Sequence, residues 1–199
     1  MRIHKIISTL FHPIVIPTIG IIIYFLATIR PIGQYQKLIT IFIVFGSTYI
    51  IPLLLLITLK KTGVINSYQL KTRKERKIPL ATMVFLFYML GNLFYRVKVL
   101  EEISMLFYAT ALGLLITYLL LNIKIKSSIH LLSIGLTCGF FMFSSLMSRE
   151  SYILIIMILF LIAGLLASSR LHLKAHTVKE VYLGFFIGIS AILGMYLLL

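Results

Sequence analysis

The chain has 199 residues, 60% of them hydrophobic, with a mean hydropathy of +1.07 and 19 Lys plus Arg against 5 Asp plus Glu. Soluble domains are usually about 45–50% apolar, so this composition excludes a water-soluble fold and points to a single integral membrane domain over residues 1–199. The positive charge is confined to short loops between apolar runs. That excludes a nucleic-acid surface and favours the bilayer's anionic headgroups and phosphates as partners.

A bilayer crossing takes about 20 apolar residues per helix. The segment before Pro13 carries positive charge ahead of an apolar run, as a signal peptide does. The run continues to Ile29 with no small-residue cleavage site, however, so a retained first helix is expected over 12–29, with His4 and His12 as interfacial side chains. A second helix is expected over 38–59, kinked at Pro52. Residues 60–77 form the longest and most basic polar segment, and a third helix follows over 78–97. Further helices are expected over 103–123, 129–147, 152–167 and 178–199. Cys138, the sole cysteine, lies in an apolar run, which excludes an intrachain disulfide and a CxxC site and leaves it a packing role. The sequence thus predicts an all-α, polytopic transmembrane bundle of about seven helices.

Seven crossings place the N-terminus and the loops 60–77, 124–128 and 168–177 on one face of the membrane. Fourteen of the nineteen Lys and Arg then lie on that face, and the positive-inside rule makes it cytoplasmic, in what is expected to be a bacterial inner (plasma) membrane. Three distant polar segments thereby share one surface. The first carries Lys71, Arg73, Lys74, Arg76 and Lys77; the second Ser128 and His130; the third Arg170, His176 and Glu180. The third segment is the most informative. Glu180 lies one helical turn beyond His176, so a helix starting near Thr177 lets the carboxylate reach back to the imidazole and aims free backbone N–H groups at a nearby anion. An imidazole held by a carboxylate is a base or nucleophile in a fixed tautomer.

These residues resemble the type 2 phosphatidic acid phosphatases, whose signature is K-x6-R-P, P-S-G-H and S-R-x5-H-x3-D. Ser169-Arg170, His176 and Glu180 reproduce the third motif with Glu in place of Asp. Ser128 and His130 match half of the second, within SSIH, and Lys71 and Pro79 have the spacing of the first, with Arg76 or Lys77 standing in for the arginine displaced by Ile78. The similarity covers about residues 68–190 and implies a six-helix arrangement as the alternative to seven, together with hydrolysis of a lipid phosphate monoester or diphosphate through a phosphohistidine. By this resemblance His176 is the nucleophile, Glu180 orients it, and His130 protonates the leaving alkoxide. Lys71, Arg76, Ser128 and Arg170 hold the phosphate, and no metal or other cofactor is required. Relatives that act on the outer membrane surface point to the sidedness opposite to the charge count.

Each feature also has a structural reading. Thr177-x-x-Glu180 is a capping box, Ser127 or Ser128 can cap the fifth predicted helix, and the basic run 71–77 is the usual composition of a cytoplasmic loop. His130 is more pointed, since an imidazole in the first turn of an apolar helix is costly unless it lines a polar pocket. The sequence leaves open a phosphotransferase of the same mechanism and a non-catalytic protein that binds or moves an anionic lipid.

Overall fold

The computed structural model describes residues 2–198 apart from Gln69, Lys71 and Arg149, and of Arg73 the backbone alone. Among the described residues there is no strand, and eight α-helices follow one another: α1 Arg2–Leu10, α2 Ile16–Ala27, α3 Gln34–Lys61, α4 Arg73–Tyr95, α5 Glu101–Asn122, α6 Ile129–Ser148, α7 Ile153–His172 and α8 Val178–Leu198. Six of these, α3 to α8, are long and apolar enough to cross a membrane. Large apolar side chains such as Leu26, Leu161 and Leu154 stand exposed on the outside of the bundle, where lipid tails replace water. The expected all-α membrane fold is therefore the one observed.

The N-terminal region differs from the expected single helix over 12–29. Pro13 disfavours helical backbone at His12, and the amides of Val15 and Ile16 both donate to the His12 carbonyl, at 2.8 and 3.2 Å. The resulting turn separates α2 from α1. The twelve residues of α2 rise only about 18 Å, and the flanking turns complete its passage between the two ends of the bundle. Helix α1 is amphipathic. It exposes Ile3, Ile6 and Leu10 and buries Ser8 against α7, where His4 stacks on His172 with ring centres 4.0 Å apart. Helix α7 also runs past its expected end at 167, to His172, so Ser169 and Arg170 occupy its last turn rather than a loop.

Two structural devices fix the ends of the bundle. Helices α6 and α8 meet backbone to backbone: a Cβ added at Gly184 would stand 2.4 Å from the Ser128 carbonyl oxygen, and one at Gly188 2.4 Å from that of Leu132. Small residues permit such approaches between membrane helices, and this one aligns the start of α6 with the start of α8. The Ser128 amide donates to the Glu180 carbonyl at 3.0 Å. At the opposite end, Glu102 pairs with Arg30 and accepts from the Tyr24 hydroxyl at 2.8 Å, while Glu150 accepts from Thr28 at 3.2 Å and from Tyr152. Polar groups buried in this way require such partners. They tie the far end of the first passage to the rest, and the N-terminal segment shares its end of the bundle with the loops after α3, α5 and α7, as the crossing count expects.

Helix α3 is not uniform. Residues Gly46–Ile50 form a π-helical turn immediately before Pro52, which lacks the N–H that a regular ladder would use. Within that turn the Thr48 hydroxyl lies 3.2 Å from that of Thr18 on α2. A change of helical register thus precedes Pro52, where the sequence leads one to expect a bend.

Candidate active site

A cavity of about 580 Å³ is lined by α2, α3, α4, α5 and α6, with α1, α7 and the loop before α8 contributing at one end. Its α6 wall extends from His130 to Phe140, ten residues or about 15 Å along the helix. Leu56, Met83, Phe87, Phe107 and Phe140 make much of it apolar, and His12, Arg76, His130, Arg170 and His176 supply basic side chains. An apolar chamber with a few convergent polar groups is the general form of a ligand site.

His176 follows from the local sequence. Thr177 begins α8 with a capping box: the Glu180 amide lies 3.4 Å from Thr177 Oγ1, and Glu180 Oε2 accepts from the Thr177 amide at 3.2 Å. The same Oε2 lies 2.8 Å from His176 Nδ1. The cap and the imidazole contact therefore coexist. With Nδ1–H directed to the carboxylate, Nε2 keeps its lone pair, the state a nucleophile needs. The His176 side chain is only 5% exposed. Burial pushes its pKa below the ordinary imidazole value, Arg170 and Arg76 push in the same direction, and Glu180 pulls the other way.

The arginines come from two helices. Arg170 Nη1 donates to Ser8 Oγ at 2.7 Å, and Arg76 Nε donates to the Leu70 carbonyl at 2.8 Å. The two guanidiniums are close enough to repel each other, and Arg76 also feels the Glu180 carboxylate. Among the described residues, His130 Nε2 and Arg170 Nε are buried without a hydrogen-bond partner. Two guanidiniums, one carboxylate and two unpartnered nitrogens thus converge at this end of the cavity, with a net positive charge.

No protein-family model, curated protein or solved structure matches the chain.

Of the expected site residues, the structure brings together His130, His176, Glu180, Arg76 and Arg170. Ser128 is fully buried, faces the Leu131 amide across 3.5 Å as a helix cap and does not line the cavity; its backbone packs against Gly184 of α8. Lys71 lies outside the described residues. Ser169 is also buried away from the cavity, bonded to the Leu165 carbonyl at 2.8 Å and facing His4 at 3.3 Å. Among the described residues, no three His, Cys, Asp or Glu side chains form a group suited to a metal ion. Sequence reasoning missed Ser8 and His12. The available signal was the amphipathic spacing of Ile3, Ile6 and Leu10 ahead of a His-Pro turn, which marks a surface helix and puts His12 at its inner end.

Proposed function

We propose that the protein is a membrane lipid phosphatase that cleaves a phosphate monoester or diphosphate through a phosphohistidine, as the type 2 phosphatidic acid phosphatases it resembles do. The observation carrying this reading is the His176–Glu180 contact at 2.8 Å beside two arginines and His130 at the polar part of an apolar cavity. Phosphoryl transfer needs in-line positioning and clustered positive charge. His176 Nε2 attacks phosphorus while the bond to the lipid oxygen breaks. His130, charged once the negative phosphate lies beside it, gives its Nε2 proton to that oxygen. Water then attacks the phosphohistidine and gives a proton back to His130 as the N–P bond breaks, releasing inorganic phosphate and restoring both imidazoles. Arg76 and Arg170 neutralise the equatorial oxygens, and the lipid tail lies along the apolar wall between Met83, Phe107 and Phe140. The polar groups reside at the end of the bundle carrying most of the basic residues, and the charge bias makes this the cytoplasmic face.

The test is phosphate release from dodecyl phosphate by the purified protein in detergent with a chelator present. Release by the native chain and a loss of at least about a thousandfold in His176→Ala are expected for removal of a covalent nucleophile. No release by the native chain, or full activity in the variant, overturns the proposal.

A further inference from the structure

We infer that His12 is a third imidazole of the phosphate pocket, a neutral donor that contacts a phosphoryl oxygen of the bound lipid phosphate through Nε2–H. The assignment rests on the lipid-phosphate reading above. Three observations about the ring carry it. It lines the same cavity as His130, Arg170 and His176. It stands edge-on to His130, with ring centres 5.1 Å apart and planes at 81°. Its Nδ1 faces the Ile14 amide at 3.3 Å. A backbone amide can only donate, so this contact makes Nδ1 the acceptor and leaves the proton on Nε2.

The turn that fixes this tautomer is built by Pro13 and by the two amides that close on the His12 carbonyl. Burial, reinforced by Arg170, favours the uncharged ring. His12 therefore differs in kind from its neighbours. His176 offers a lone pair, His130 delivers a proton, and His12 supplies a hydrogen bond without changing protonation state. The N-terminal segment thereby becomes part of the site: Ser8 holds Arg170 through its hydroxyl, and His12 adds a direct contact.

The experiment compares His12→Phe, which keeps a ring without a donor, with His12→Gln, whose amide N–H reaches about as far as Nε2. Binding of dodecyl phosphate is measured by calorimetry in a His176→Ala background, and phosphate release in the otherwise native chain. A hydrogen bond to a charged group is worth enough to weaken binding and kcat/KM by about 10- to 100-fold in His12→Phe, with His12→Gln recovering most of the loss and both variants melting near the native temperature. Native-like binding and turnover in His12→Phe, or an equal defect in Phe and Gln, overturns the assignment of His12 while leaving the phosphatase reading intact. Absence of binding and turnover in the native chain overturns both.

Discussion

Replacing Glu180 by Gln separates the two tasks that one carboxylate oxygen performs at the start of α8. Gln is accepted at the third position of a capping box, so its amide oxygen can still take the Thr177 N–H, and the stability change should stay below about 1 kcal/mol. The chemistry loses more. Exchanging a charge-assisted hydrogen bond for a neutral one forfeits about 1–2 kcal/mol, and the imidazolium that forms on phosphorylation loses a counter-charge whose attraction at about 4 Å is up to about 4 kcal/mol at an effective dielectric of 20. Because Glu180 is 21% exposed, part of that attraction is screened. A loss of about 2–4 kcal/mol in transition-state stabilisation corresponds to a rate roughly 30- to 1,000-fold lower. The pH profile has a definite sign. Attack requires neutral His176, whose pKa burial already lowers, so the acid limb of the native enzyme lies below the ordinary imidazole value. Removing Glu180 removes the one influence that raises the His176 pKa, and the acid limb moves to still lower pH as the plateau drops. Phosphate release from dodecyl phosphate across pH 4–9, alongside thermal unfolding in the same detergent, measures both effects. A kcat within about threefold of native at every pH, with unchanged melting, would leave Glu180 a helix cap alone and refute the mechanism.

The seam between α6 and α8 makes a prediction independent of catalysis. Gly188→Ala forces a Cβ to within 2.4 Å of the Leu132 carbonyl and should cost about 1–3 kcal/mol of stability, whereas Gly194→Ala, whose nearest neighbour would be 3.9 Å away, should melt within about 0.5 kcal/mol of native; equal melting temperatures for the two contradict the packing. Sidedness is checked with single cysteines at Asn66 and Gln34, both exposed, in a Cys138→Ser background, labelled in whole cells with an impermeant thiol reagent. A cytoplasmic pocket leaves Asn66→Cys unlabelled, and labelling there without labelling of Gln34→Cys reverses the assignment.

The membrane fold was legible because hydrocarbon imposes a simple rule: long apolar runs become helices, and polar runs mark their ends. Counting crossings was then enough to predict that the segments carrying Arg76, His130 and His176 share one end, and the spacing of four between His176 and Glu180 was enough to pair them. What escaped was set by contacts that no local pattern encodes. Ser169 and Arg170 read as a loop because they are polar, yet a helix needs only continuous backbone hydrogen bonds, and α7 continues through them to meet α1. Ser128 matched a motif letter, but its hydroxyl faces the Leu131 amide of its own helix, while its backbone packs on Gly184, more than 50 residues away. His12 was assigned to the interface because its two decisive neighbours, the Ile14 amide and the His130 ring, face it only after Pro13 has turned the chain.

The π turn in α3 has a consequence for how substrate length and chemistry can vary separately. A π turn is equivalent to one residue inserted into an α-helix, and one residue corresponds to about 100° of rotation. The half-helix beyond Gly46–Ile50 is therefore phased by that single extra residue, which sets the angle at which Pro52, Leu55 and Leu56 meet the cavity. Losing one residue from the turn would rotate all three away from the chamber together and bring other side chains of the same helix to its wall. His130, Arg170 and His176 belong to helices and a loop beyond that rotation. Under the lipid-phosphate reading proposed above, a one-residue insertion or deletion in this turn would retune which hydrocarbon tails fit while leaving the phosphate-facing residues in place.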